Sequence, residues 1–285
     1  MCMILIFFIY NTLYTTKLII GSAQFGMKYG ISNQNTETNS QEVKEILNFC
    51  NLNKIDSIDT AFAYGKSEEV LGQFNLEKFK ITSKFTSQNS IEKQFSISLQ
   101  RLNLKNIYAY LAHRPLEVST SDWAFLNKLK DESKIKKIGF SFNETNEVDQ
   151  ILKNGFIPDI VQVPFNYLDN RFEEKLRELK SKYNVEIHTR SAFLQGLFFM
   201  NPNTLPTFFN PLKKDIIHIS NFDNKAGSLL KYVISKEFID KVVIGVNNLS
   251  QLEQNINQLQ TAQILDPIVS ENFSKECLNP SKWPK

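Results

Sequence analysis

The sequence predicts a single-domain (β/α)8, or TIM, barrel, and three observations carry that reading. Eight short β-rich runs recur along the 285 residues with helical periods between them, the pattern of a barrel of βα units. Several runs are continuous Ile/Val/Leu/Phe stretches, as strands buried on both faces are. The turn after the first run, Gly21-Ser22-Ala23-Gln24-Phe25-Gly26, lacks the G-x-G-x-x-G spacing of a doubly wound dinucleotide fold.

Taken in order, the runs cover residues 17–21, 55–59, 79–85, 107–113, 136–141, 160–165, 185–191 and 242–246. Val43, Ile46, Leu47 and Cys50 form one apolar helical stripe after the first run. Ile91, Phe95, Leu99 and Leu102 form a second, and Trp123, Leu126 and Leu129 a third. Phe172, Leu176, Leu179 and Tyr183 form a fourth, and Leu252, Ile256 and Leu259 the last. Asn39 with Glu42, and Ser250 with Glu253, read as capping boxes. A long segment from Gly196 to about residue 210, with Pro202 and Pro206, exceeds the usual short connection and reads as a lid or binding loop. The tail from about residue 264 to Lys285 reads equally well as a cover for the barrel mouth or as a docked structural strap.

The length fits one barrel, since such barrels run to ~250 residues as one domain. A hydrophobic content of 42% supports a full core and argues against disorder. Net charge is +3, and the densest basic stretch, residues 128–137, is interrupted by Asp131 and Glu132. It reads as a solvated helix face, so no nucleic-acid partner is expected. Cys2, Cys50 and Cys277 are odd in number and far apart, which predicts neither disulfides nor a metal site and points to the cytoplasm. The apolar start, residues 1–10, is shorter than the ~20 residues a bilayer span needs and lacks a signal-peptide layout. Residues 1–16 are expected to be an extension that the fold does not need, with the barrel over 17–285.

In such a barrel chemistry sits at the C-terminal ends of the strands. Asp59 ends the second run, Lys84 lies near the end of the third, and His113 ends the fourth. Ser141 ends the fifth, and Gln162 lies within the sixth. Each alone has a bland structural explanation; their shared placement at one mouth is the informative feature. The loop after Asp59 adds a phenol, Tyr64. The chemistry that fits is carbonyl reduction: hydride arriving at a carbonyl carbon leaves an alkoxide that must be protonated. A phenol can supply that proton, but its ordinary pKa is about 10. Lys84 is expected to bring it down, Asp59 to hold Lys84, and His113 to orient the carbonyl. His188 and His218 lie away from the mouth and read as structural.

Asp59-Thr60-Ala61-x-x-Tyr64-Gly65-x-Ser67-Glu68-x-x-Leu71-Gly72 resembles the aldo-keto reductase signature. So do Lys84 in Thr82–Phe85, His113 in 111–115, 139–143, 161–166, 190–196 and 244–255, all in family order. The resemblance runs from about Leu18 to Trp283. It implies Tyr64, Lys84, Asp59 and His113 as the catalytic set and a nicotinamide cofactor across the barrel mouth. Ser141, Asn143 and Gln162 would then bond the carboxamide. Ser191, Phe193, Gln195 and Gly196 would line the pyrophosphate path, and Gly245, Gln251, Gln254 and Asn255 the adenosine. Arg190 stands where an aromatic ring often stacks on the nicotinamide, bringing a charge. Asn248 stands where an arginine often meets a 2′-phosphate.

The expected function is reduction of an aldehyde or ketone by NAD(P)H. NADPH is favoured over NADH by no more than about tenfold (~1.4 kcal/mol), and Lys213, Lys214 or Lys225 could reach the phosphate. Phe25, Phe62, Phe85, Phe165 and Trp283 are the expected pocket wall around a small-molecule carbonyl substrate. The alternatives are a nucleotide-binding regulatory protein on the same fold, and a Schiff-base lyase with Lys84 as nucleophile. No membrane partner is expected, and no readable motif encodes the particular carbonyl compound or the oligomeric state.

Overall fold

A computed structural model of the chain describes residues 14–33, 37–86, 90–267 and 274–284. Residues 1–13 of the expected extension, with Cys2, lie outside the described residues. The last residues of that segment are tied to the barrel: the Thr16 carbonyl accepts from Lys241 Nζ at 2.6 Å, and Lys231 Nζ lies 5.2 Å from the Tyr14 ring centre.

Eight parallel strands close into one barrel in sequence order. They are β1 (Leu18–Gly21), β2 (Ser57–Asp59), β3 (Lys80–Phe85), β4 (Ile107–Ala112), β5 (Ile135–Ser141), β6 (Ile160–Pro164), β7 (Glu186–Arg190) and β8 (Lys241–Gly245). The sheet closes by pairing Leu18 with Val242 through to Gly21 with Gly245. Each strand falls within two residues of the run that predicts it, and β1 and β6 are buried along their whole length.

The helices are α1 (Ala23–Gly26), α2 (Ser40–Leu52), α3 (Ser67–Leu71), α4 (Ile91–Leu102), α5 (Thr120–Asp131), α6 (Thr145–Lys153), α7 (Glu173–Tyr183), α8 (Lys213–Ser220), α9 (Lys225–Ile234) and α10 (Leu249–Thr261). The apolar stripes land on α2, α4, α5, α7 and α10, where Val43, Ile46, Phe95, Leu126, Leu176, Leu252 and Ile256 are buried against the sheet. The cap at Asn39 forms, its side chain accepting from Glu42 N. The cap expected at Ser250 does not. Asn248 caps α10 instead, accepting from Gln251 N at 2.9 Å. The basic stretch at 128–137 is divided between the end of α5 and the start of β5, and Lys130 pairs with Asp159 at 2.6 Å.

The long segment after β7 is a chain of 3-10 turns, Leu194–Phe199, Pro202–Thr204 and Thr207–Leu212, with Leu197, Phe198, Phe209 and Leu212 buried. It packs into the fold as a wall. Trp283 of the tail lies edge-on against Phe209, with ring centres 4.9 Å apart, and donates its indole N–H to Cys277 O. The tail is a strap on that wall. Among the described residues no helix is long and apolar enough to cross a membrane.

Candidate active site

The loop between β2 and α3 is fixed by its own sequence. Phe62 N donates to Lys84 O, Tyr64 N to Ala61 O, and Lys66 N to Gly26 O. The Ser67 hydroxyl, fully buried, donates to Ser22. Glu68, also buried, accepts from the Ser83 and Ser98 hydroxyls at 2.7 and 3.1 Å. Gly26 and Gly65 let two backbones cross. A side chain at Gly65, which has φ +56°, would meet Gly26 O at 2.3 Å, and one at Gly26 would meet Ser67 N at 2.0 Å. The crossing holds Tyr64 at the barrel mouth.

Beneath Tyr64 lies a buried polar cluster. Lys84 Nζ donates to Asp59 Oδ2 at 2.6 Å and to Thr60 O at 2.9 Å, and Gln162 Nε2 donates to Asp59 Oδ1 at 2.7 Å. Lys84, Asp59 and Gln162 are each at most 3% exposed. Lys84 Nζ is 5.1 Å from the Tyr64 ring centre, and the His113 ring meets that ring edge-on at 5.9 Å.

Burial pushes the Tyr64 phenol above its usual range, and the charge of Asp59 adds to this; Arg190 pulls the other way. The expectation that Lys84 depresses Tyr64 therefore does not hold here, because the lysine charge is matched by Asp59. Burial likewise lowers Lys84, with Asp59 opposing. Burial, then Lys84 and Arg190, hold His113 down at about 3, so its imidazole is neutral near pH 7. Neither Lys84 nor His113 is among the residues lining the cavity; Lys84 is 1% exposed with its ammonium held by Asp59 and Thr60, which counts against the Schiff-base reading.

A cavity of about 650 Å3 opens beside this cluster. Asp59, Tyr64, Gln162 and Arg190 form its inner end. Ser191, Phe193, Gln195 and Gly196 line its flank, and Gly245, Gln251, Gln254 and Asn255 its outer end. Ser141 and Asn143 do not line it. Ser141 is buried at the end of β5, and Asn143 has its side-chain oxygen bonded by Arg190 Nη2 at 2.6 Å. The flank is shaped by left-handed backbone at Ser191, Leu194, Gln195 and Gly196. Four such residues out of six, three of them not glycine, are costly and occur mainly where function holds them. A side chain at Gly196 would strike Ser32 Oγ at 2.0 Å.

The expected aromatic wall is elsewhere. Phe25, Phe85 and Phe165 are at most 1% exposed in the core, Phe62 lies 4.8 Å under the Arg101 guanidinium, and Trp283 is on the strap. Phe193, Phe199 and Phe222 supply the aromatic surface. Of the three lysines expected near the nucleotide, Lys225 lines the cavity. Asn247, not Asn248, faces it, and the buried Asn247 Oδ1 has no hydrogen-bond partner.

Sequence reasoning missed Gln24, Tyr29, Asn224 and Asn247 as lining residues. Tyr29 accepts from Gln195 Nε2 at 3.0 Å, and burial, then the charge of Tyr64, push its phenol up to about 12. Gln24 and Tyr29 follow β1, and a loop at a strand's C-terminal end in a barrel was the signal that could have found them.

The Aldo/keto reductase family matches residues 17–267, and the chain belongs to that family. It is an NAD(P)H-dependent oxidoreductase that reduces a small-molecule carbonyl compound. It is 23% identical to the oxidoreductase sirO of Leptosphaeria maculans, over 89% of this chain and 92% of that one. It is 30% identical to a glyoxal reductase of Bacillus subtilis over 57% of this chain and 62% of that protein. It is 27% identical to an NADH-specific methylglyoxal reductase of Escherichia coli over 52% and 54%. These last two matches span about half to two thirds of the relatives. Among solved structures, an aldo-keto reductase of Bacillus halodurans in its holo form superposes with a TM-score of 0.67 at 18% identity, covering 92% of this chain and 90% of that one.

The lining fits a nicotinamide dinucleotide. The cavity is lined by both polar and apolar groups, and the N-terminal ends of α9 and α10 reach it through Asn224, Lys225 and Asn247. The unpartnered Asn247 Oδ1 and the bare backbone of Gly245, where a side chain would press on Gln24, leave room and polar atoms for a ligand.

Proposed function

We propose that Tyr64 is the general acid of carbonyl reduction. The observation that carries this is the phenol at the inner end of the cavity, directly over an Asp59 whose two oxygens are engaged by Lys84 and Gln162. When bound, a reduced nicotinamide supplies a hydride to the carbonyl carbon. Tyr64 then gives its proton to the carbonyl oxygen. A raised phenol pKa suits this step, because the proton stays on Oη until the far more basic alkoxide forms. Neutral His113, against the Tyr64 ring, orients the carbonyl oxygen by a hydrogen bond. Lys84 and Asp59 fix the floor below. Of the three groups expected for the carboxamide, Gln162 lines the cavity, while Ser141 and Asn143 would have to turn toward it.

The cofactor is NADPH with weak preference, within about tenfold of NADH. Lys225 supports binding of a phosphate, while the Glu42 carboxylate, which accepts from Leu249 N at the start of α10, opposes a second negative charge there. The relatives named for glyoxal and methylglyoxal suggest small dicarbonyls as first substrates. Free, buried Cys50 and Cys277 support a cytoplasmic location, and the paired lysines at 128–137 support the absence of a nucleic-acid partner. The barrel domain in this reading covers residues 17–285, with residues 1–16 as an extension.

The test is loss of NAD(P)H absorbance with glyoxal, methylglyoxal and a panel of larger aldehydes and ketones. Turnover with one or more of them is expected. Nucleotide binding with no turnover across the panel would overturn the reading.

A further inference from the structure

We propose that Arg190 makes the cavity discriminate against the oxidised, positively charged nicotinamide cofactor, so that the reduced form binds more tightly and the spent form leaves readily. The proposal rests on the reductase reading above and adds a bias that the reading does not require.

Arg190 ends β7 and lines the inner cavity with Asp59, Tyr64 and Gln162. Its Nη2 donates to Phe142 O at 3.0 Å and to Asn143 Oδ1 at 2.6 Å. Both acceptors are neutral. The neighbouring carboxylates have cations of their own: Asp59 holds Lys84 at 2.6 Å, and Asp169 faces Arg171 at 3.6 Å. Among the described residues no carboxylate lies within ion-pair distance of Arg190. A guanidinium does not lose its proton in proteins, so the reacting centre carries one cation without a counter-charge. That field reaches the groups around it, pulling down Tyr64, Lys84 and His113.

The position of the reacting ring follows from the chemistry. Hydride transfer breaks one ring C–H bond with its electron pair and forms a C–H bond at the substrate carbon. The π pair moves to the carbonyl oxygen, which takes the Tyr64 proton. The ring must therefore lie in contact with a carbon whose oxygen touches Tyr64 Oη, within the reach of Arg190. It enters neutral and is left with one positive charge. Two like charges a few ångströms apart in a partly dry cavity repel by more than the threshold for a tenfold change in affinity.

The experiment is a fluorescence or calorimetric titration of the full chain with NADPH, NADP+, NADH and NAD+, for wild type, Arg190→Gln, Arg190→Tyr and Arg190→Lys. Gln keeps a donor for Asn143 without the charge, Tyr offers a second neutral variant should Gln fail to fold, and Lys keeps the charge. The ratio of oxidised to reduced Kd should fall about tenfold or more in the neutral variants, mainly through tighter binding of the oxidised form, and be retained in Arg190→Lys. An unchanged ratio would overturn the proposal. So would equal weakening of both forms, which would make Arg190 a phosphate clamp. Failure of the wild type to bind any of the four would instead sink the reductase reading.

Discussion

Gln162 Nε2 lies 2.7 Å from Asp59 Oδ1 and donates to it, leaving the carboxylate with one donor on each oxygen. Asp59 is therefore held at both oxygens by neighbouring side chains. The cluster it anchors is buried, so removing one member is felt by the whole fold.

Lys84→Met leaves that anion buried without its cation, which costs about 3–5 kcal/mol. Melting temperature and turnover should both drop. Adding Asp59→Asn should restore much of the melting temperature and none of the activity. A single variant that loses activity at unchanged melting temperature would mean that the pair is solvated.

Tyr64→Phe removes the proton donor and nothing the cavity needs for nucleotide. Turnover should fall ~10²-fold or more while the cofactor Kd holds. In the wild type the rate of the chemical step should be flat between about pH 5 and pH 8. Tyr64 is raised and stays protonated there, and His113, held down at about 3, stays neutral. A stopped-flow pH profile with a limb near a normal histidine value would show that His113 titrates after all.

Asn247→Arg should shift cofactor selectivity toward NADPH by about tenfold or more, because a guanidinium there would face the cavity and meet a 2′-phosphate on two bonds. Asn248→Arg should not. It removes the α10 cap, for ~1 kcal/mol of stability, without reaching the cavity. Paired titrations and melts of the two variants check this; selectivity moved by Asn248→Arg alone would reverse the assignment.

Asp169 is 2% exposed, and neither of its carboxylate oxygens has a hydrogen-bond partner. Burial raises it to about 6 from 3.8, against the pull of Arg171. The folded state thus holds this proton more tightly than the unfolded chain. The stability it contributes is present below pH 3.8 and is lost as pH rises through about 6. At ~1.4 kcal/mol per unit, the loss is roughly 3 kcal/mol at neutral pH. Asp169→Asn should raise the melting temperature at pH 8 and leave it nearly unchanged at pH 4, as read by calorimetry at both. Equal shifts at the two pH values would show that ionisation is not the cause.

The barrel was legible because eight β-rich runs alternate with helical periods, and Asp59, Lys84 and Gln162 were legible because polar residues in or at the end of largely buried runs are expensive. The pocket wall was not. Phe25, Phe85 and Phe165 sit beside mouth residues in the chain, yet their side chains are buried in the core, a direction set by the local backbone of helix, strand or loop that residue type alone does not reveal. Ser250 was a good cap by type, but Asn248 is a better one and starts the helix two residues earlier, which swings Asn247 onto the cavity. The sequence reading named no stripe for α6 or α9, although Val148 and Ile151 of α6 are buried. In α9 Ala226, Leu229, Leu230 and Val233 are buried with Ser228 and Tyr232 among them, leaving little polar face to set a stripe apart.

The crossing of Gly26 over Gly65 has a consequence for how this scaffold can be remodelled. Loops at the mouth of such barrels are commonly treated as interchangeable parts. Here the loop after β1 and the loop after β2 share one backbone contact, with Lys66 N bonded to Gly26 O and the Ser67 hydroxyl bonded to Ser22. A donor loop grafted after β1 alone would displace Tyr64 without touching it. The two loops form one transplantable cassette, and a library that recombines them independently would consist mostly of inactive members.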